Sequence, residues 1–227
     1  MELFEHSIVE QMPFRGAIES PVGQLELGLA AGTFDTDETA PVASGLSNRG
    51  AQVAQWKSGG LRAELLVRRF EPEISQRLDY DRCLGAIWRV NVEADFSTLE
   101  ASLELHRNGR GKGGVDIGEG LDAQSWLIDD HVISIGTENA RALRYRAKDG
   151  QYMPDCFDVP AKDCESYVVD DGLCVSLGPV ESGDLIQVAF AASWVISDDP
   201  NDCGPWIAVD RTLYAIRKRL PASECGN

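Results

Sequence analysis

"LGAIWRVNVEADFSTLEASLELH", residues 84–106, decides the fold class. Its first half sets Leu84, Ala86, Trp88, Val90, Val92 and Ala94 on one side of an extended chain. Its second half alternates Leu99, Ala101, Leu103 and Leu105 with Glu100, Ser102, Glu104 and His106. Successive side chains of an extended backbone point to opposite faces, so a period of two marks a half-buried strand.

The same pattern recurs outward from this stretch. "GQLELGLA" (23–30) and "DLIQVAFAASWVI" (184–196) read as strands, and "LRAELLVRRF" (61–70) alternates as well, though a helix also fits it. "HVISIGT" (131–137) and "RALRYRA" (141–147) predict a hairpin around Glu138–Asn139. "ESYVVDDGLCVSLG" (165–178) predicts another, with Asp171–Gly172 suited to a type I′ turn. Two helices are candidates. One spans 2–12 through Leu3, Phe4, Ile8 and Met12. The other spans 205–220 through Trp206, Val209, Leu213, Ile216 and Leu220, a stretch that also fits a return strand against 184–196. Residues 31–58 are polar with little periodicity and are expected as a long surface loop or arm. The expectation is one mainly β domain over 1–227, an antiparallel β-sandwich or jelly-roll-like barrel with at most two short helices.

The formal net charge is −16, and it is unevenly spread. Residues 151–210 hold twelve acids and one base, Lys162, and residues 1–40 hold eight acids and one base. An acidic field repels nucleic acid and anionic lipid and attracts cations or basic proteins. No apolar run approaches the roughly 18 residues of a membrane span. "MELFEHSIVEQMPF" has acids where a secretory leader needs bases, so a cytoplasmic protein is expected. The cysteines Cys83, Cys156, Cys164, Cys174, Cys203 and Cys225 lack the close pairs of a zinc site and read as reduced, mostly buried thiols, with Cys156–Cys164 as the alternative disulfide.

Three motifs bear on chemistry. "HRNGRGKGGVDIGEG" (106–120) has a phosphate loop's glycines, but Lys112 is followed by Gly113 rather than Ser or Thr, and "VDIGEG" is a poor helix start. A flexible connection that binds no nucleotide is expected. "SDDPNDCG" (197–204) gathers Asp198, Asp199, Asn201 and Asp202, oxygen donors that calcium favours. The EF-hand spacing is absent and Pro200 interrupts it, so a solvated turn is the preferred reading and no cofactor is expected. Glu104 and His106 share a strand face about 7 Å apart, whereas Glu100 and Glu104, about 13 Å apart, are far for paired-carboxylate hydrolysis. No nucleophile elbow accompanies His6, His106 or His131. Trp88 and Trp194 lie on apolar faces and belong to a core; Trp56 and Trp126 lie in weakly patterned segments and are freer to be exposed.

The leading functional expectation is a non-enzymatic binding protein that meets a basic protein partner through its acidic surface, with Asp170, Asp171, Asp198 and Asp199 as contact residues. An inhibitor, immunity-type or assembly protein fits. The alternatives are a β-sandwich enzyme or carbohydrate-binding module, calcium-dependent in one version, and a self-assembling shell or coat subunit.

Overall fold

A computed structural model describes residues 8–72, 74, 78–118, 120–143 and 163–219. Fifteen strands and one long helix make up its regular structure. The strands are β1 (Ile8–Gln11), β2 (Ala17–Ser20), β3 (Gly23–Ala31), β4 (Phe34–Asp35), β5 (Ala43–Ser47), β6 (Gln52–Ser58), β7 (Leu61–Phe70) and β8 (Arg82–Val92), followed by β9 (Leu99–Arg107), β10 (Lys112–Gly118), β11 (Leu121–Ile128), β12 (His131–Glu138), β13 (Cys164–Val169), β14 (Gly172–Leu177) and β15 (Leu185–Ile196). The helix is α1 (Gly204–Arg219). A large sheet runs β1-β5-β6-β7-β8-β15-β12-β11-β10, and a smaller one runs β13-β14-β9-β3-β2, with β4 also paired to β3. The ladders between these strands are antiparallel. The protein is a β-sandwich, as the alternation over 84–106 predicts.

The large sheet is covered on both faces. Its inner face meets the small sheet around Trp56, Trp88, Val90, Phe190 and Trp194, with Leu25, Leu27, Leu103 and Leu105 coming from the other side. Trp56 and Trp88 lie with ring centroids 5.3 Å apart, and the Trp56 indole N–H donates to the Thr39 carbonyl at 2.9 Å. Its outer face meets α1 through Val53, Leu66, Ile87, Ala189 and Ala191 against Val209, Leu213 and Ile216. The helix lies very close. A Cβ on Gly136 would stand 2.5 Å from Val209 Cγ1, and one on Gly85 would meet Phe70 at 2.5 Å and Ile216 at 3.0 Å. Cys83 and Thr212 meet across this contact, sulfur to hydroxyl 2.9 Å. Burial pushes the Cys83 thiol up to about 11, so it stays protonated at neutral pH.

The same outer face carries a cross-strand polar row. Glu64 pairs directly with Arg89, and Arg89 with Gln187. All three are buried. The Gln55 amide donates to Glu64 at 2.8 Å, and Arg89 Nε donates to Gln187 at 3.3 Å. A buried ion in such a row costs desolvation, which hydrogen bonds and an opposite neighbour offset.

The structure corrects several expectations. Residues 31–58 are not an arm. They hold β4, β5 and β6, and Trp56 is buried. β6 buries Val53 toward α1 next to Ala54 and Trp56 toward the small sheet, while Gln55 is half-buried and Lys57 exposed on the Val53 face, so no clean alternation shows in its sequence. Trp126 is likewise buried. The candidate helix over 2–12 is a strand across its described part, Ile8–Gln11, paired to β5. The expected hairpin at Glu138–Asn139 does not form. Asn139 Oδ1 accepts from the Ala142 amide and caps a helical turn over 140–143, while β12 pairs with β11 and β15. Residues 144–147 lie outside the described residues. The 165–178 hairpin exists with its turn one residue earlier, at Asp170–Asp171, because Val169 pairs with Gly172. The candidate stretch 205–220 is helix through Arg219, with Trp206, Val209, Leu213 and Ile216 turned toward the sheet, and Leu220 lies outside the described residues. Residues 112–118 form β10 rather than a loose connection. Cys83, Cys164 and Cys174 are buried and Cys203 is exposed. Cys156 and Cys225 lie outside the described residues.

The close helix approach yields a stability prediction. Gly136→Ala should cost about 1–3 kcal/mol, because Val209 is stiff and must give way. Gly59→Ala, where no atom lies within 4 Å and φ is not positive, should be neutral or stabilising by up to about 1 kcal/mol. Urea melts of the two variants against the parent check both signs.

Candidate functional site: an acidic sheet face and its cleft

The small sheet has one face in the core and one in solvent. On β3 the odd positions from Gly23 to Ala31 are buried and the even positions half-exposed, and β9 follows the same alternation. The outward rows are set by register. Gln24 pairs with His106, Glu26 with Glu104, Gly28 with Ser102, and Ala30 with Glu100. β14 continues them, with Gly172 beside Glu104, Cys174 beside Ser102 and Ser176 beside Glu100. β13 adds Tyr167 beside Cys174 and Glu165 beside Ser176. Asp35 on β4 pairs with Ala30, and Asp37 follows it. One sheet face thus presents Glu26, Glu100, Glu104, Glu165, Asp35 and Asp37 over a floor of small residues.

Glu26 directly opposite Glu104 is the notable pairing, since like charges facing each other across a ladder repel. The face holds few compensating groups. His106 Nε2 lies 2.7 Å from Glu26 Oε2. Arg107 and Asp171 pair at 2.5 Å. The Tyr167 hydroxyl donates to Glu100 Oε2. Burial first, and then the Glu100 carboxylate, push the Tyr167 phenol upward, so it remains a donor. Partial burial first, and then the negative charge of Asp35, Glu26 and Glu104, hold the Asp37 carboxyl above its usual range, with His106 pulling the other way. The carboxylates therefore feel one another across three strands.

An open cleft of about 960 Å³ lies at the end of this face. Glu104, His106, Arg107 and Asn108 form one side, and the β13–β14 turn with Asp170 and Asp171 forms the other. The turn is held by the Leu105 amide, which donates to the Asp171 carbonyl at 2.8 Å. Behind it β13 is fastened to the large sheet. The Ser166 hydroxyl donates to Asp122, and the Gln124 amide donates to the Val169 carbonyl at 2.9 Å.

The four aspartates named from sequence fall on two elements. Asp170 and Asp171 rim the cleft, whereas Asp198 and Asp199 lie in the connection from β15 to α1, on the other sheet. In that connection Asp199 Oδ1 accepts from the Asn201 amide at 2.9 Å, and Asp202 Oδ1 accepts from the Gly204 amide at 3.0 Å at the start of α1. These oxygens serve the turn and the helix start. Among the described residues no three His, Cys, Asp or Glu side chains gather as a metal-binding group. His131 lies beside Asp130 at 2.7 Å, at the β11–β12 turn. His6 lies outside the described residues. Glu104 and His106 share one face as the strand period predicts, but Glu26 and Asp37 could not be joined to them from period alone, because Glu104 and His106 lie more than sixty residues further along the chain.

No family model matches the chain, and no curated protein matches it. Solved structures do resemble it. A protein described as a kojibiose phosphorylase from the human microbiome superposes with a TM-score of 0.50 at 8% identity, over 96% of this chain and 29% of that one. A family GH92 inverting mannosidase from Bacteroides thetaiotaomicron VPI-5482 gives 0.42 at 13% identity, over 90% and 25%. A polysaccharide lyase gives 0.36 at 11%, over 78% and 26%. The chain spans less than a third of the length of each. The first of these likenesses is one of fold. No helix among the described residues is long and apolar enough to cross a membrane.

The crowding on Asp37 has a definite pH sign. A carboxyl whose pKa is raised on folding binds its proton more tightly in the folded state, so it favours folding below its unfolded pKa. That contribution is lost as pH rises through the folded value. Asp37→Asn should therefore raise the melting temperature at neutral pH, and the gain should vanish below the ordinary aspartate range. Glu104→Gln should lower the Asp37 pKa in a carboxyl NMR titration.

Proposed function

We propose that this protein is a non-enzymatic β-sandwich binding module that takes a basic segment of a protein partner on the acidic face of its small sheet. The observation that carries this reading is the facing pair Glu26–Glu104, with Asp37 drawn into the same repulsion. Unrelieved like charge costs stability, and a cationic ligand removes that cost on binding, so the face favours Lys and Arg side chains. Glu100, Glu26 and Asp37 supply carboxylates along the sheet, and Asp170 at the cleft rim extends the field. Asp198 and Asp199 add to the long-range potential from the other sheet. Tyr167, 38% exposed beside Glu100, supplies an aromatic surface for an aliphatic stem or a guanidinium. Association would be steered by charge, with affinity set by the few groups that become desolvated.

One observation favours a second reading, a carbohydrate-binding module. The cleft is rich in paired donors and acceptors, with His106, Asn108 and Arg107 facing Asp170 and Asp171. Tyr167 stands on the adjoining face as a stacking surface. The kojibiose phosphorylase whose fold this chain resembles is named for a disaccharide.

Salt separates the two. Binding of an unstructured lysine-rich peptide should weaken by about tenfold or more between low and moderate ionic strength. A sugar site should barely respond. Glu26→Gln with Glu104→Gln should slow association severalfold at low salt, and Asp198→Asn with Asp199→Asn should change it less. Stopped-flow association at wild-type rate for the Glu26/Glu104 variant would defeat the proposal.

A further inference from the structure

We propose that β10 is the seat of a symmetric dimer, in which two copies of the chain join their large sheets edge to edge and set Lys112 of each copy against Asp116 of the other. β10 is the last strand of the nine-stranded sheet, and among the described residues β11 is its only ladder partner. Residues 112–116 are exposed, Val115 by 52%. An edge strand presents a row of backbone donors and acceptors that another strand can pair with. Proteins usually blunt such edges with proline, a bulge or a cover.

The edge strands β1 and β13 show those devices. β1 has a register break between Ile8 and Glu10, and Pro13 follows it. β13 is fastened to β11 by the Ser166–Asp122 and Gln124–Val169 hydrogen bonds. β10 has neither. Its seven residues pair with β11 without a break, from Lys112↔Leu127 to Gly118↔Leu121, and it contains no proline.

The occupant follows from the strand's own sequence. Lys112 and Asp116 stand two residues to either side of Gly114, on the same face of the sheet by their pairing with Leu127 and Ala123. If two copies of β10 run antiparallel about a two-fold axis at Gly114, Lys112 faces Asp116 twice, and Val115 faces Gly113 twice. Opposite charges directly across an antiparallel ladder attract. Gly113 carries no side chain and the Trp126 indole lies over it, 2.6 Å from where a Cβ would stand, so the neighbour meets an aromatic edge there. Val115 of the second copy thus covers an apolar spot. A slip of two residues in either direction sets Lys112 against Gly114 or Gly118 and loses the Lys112–Asp116 pairs. A two-fold axis requires a self-complementary patch, and this strand is one. The contact is short, so the dimer is concentration-dependent.

Sedimentation equilibrium of the full chain from low to high micromolar tests this. The parent protein should show a monomer–dimer equilibrium. Lys112→Asp and Asp116→Lys should each weaken dimerisation by about tenfold, since each creates two like-charge pairs. The double exchange should restore it to near the parent value. All three variants should keep the parental circular dichroism spectrum, because both side chains are exposed. A parent that stays monomeric at high micromolar overturns the proposal. So does a dimer indifferent to the single reversals, which would use another surface, or a double exchange that fails to restore association.

Discussion

The large sheet must be covered on both faces, and the contact of α1 with two glycines is what permits this. Val209 rests where a Gly136 side chain would be, and Ile216 and Phe70 crowd the same place on Gly85. Without those absences the helix would stand off the sheet and leave Leu66, Ile87, Ala189 and Ala191 wet. The helix start is pinned as tightly, since a Cβ on Gly204 would collide with the Asp79 carbonyl. Consequently β8 and β15 are buried nearly throughout, and one sheet serves two cores. Among the described residues the small sheet has no such cover. Its outer face is the broad surface left for charge, and the carboxylates of β3 and β9 occupy it.

That division explains why the acidic face tolerates Glu26 opposite Glu104. The energetic weight of the fold lies in the two apolar layers, where Trp56, Trp88 and Phe190 are each almost wholly buried. A repelling pair on a solvated face is a small cost by comparison, because water screens it. The relief is uneven. His106 answers Glu26, Arg107 answers Asp171, and Tyr167 answers Glu100, while Asp37 sits among Asp35, Glu26 and Glu104 with only His106 opposed to them.

Much of the fold was legible because half-buried strands advertise themselves. β3, β9 and β15 were read nearly to the residue from alternation alone. Failures came where that signal is physically absent. β6 buries Val53 on one side and Ala54 and Trp56 on the other, so Trp56 looked like a residue of an irregular segment. Three of the seven residues of β10 are glycine, which has no side chain to alternate and low strand preference, yet its backbone completes a seven-residue ladder. Asn139 resembled a turn residue because capping and turning use the same side-chain oxygen. The stretch at 205–220 satisfied both periods, and only the sheet beneath it selects the helix. At the candidate site, the half drawn from a single strand was legible and the half drawn from β3 and the β4 connection was not. Period shows which face a residue occupies, but strand order shows what it faces.

The bases of the glycine-rich segment acquire a meaning from the charge map. Between His106 and Gly118 the chain carries Arg107, Arg110 and Lys112 against Asp116 alone, in a molecule of net charge −16. Two copies of so acidic a protein repel each other over most of their surfaces. Approach is least opposed where the local charge is balanced, as it is along β10, an edge strand that among the described residues has no bulge, proline or fastened cover. The field that would draw a basic partner to Glu26 and Glu104 turns a second copy away from the same face. It leaves β10 as the point of contact between like molecules, so the two surfaces can be occupied at once without competing.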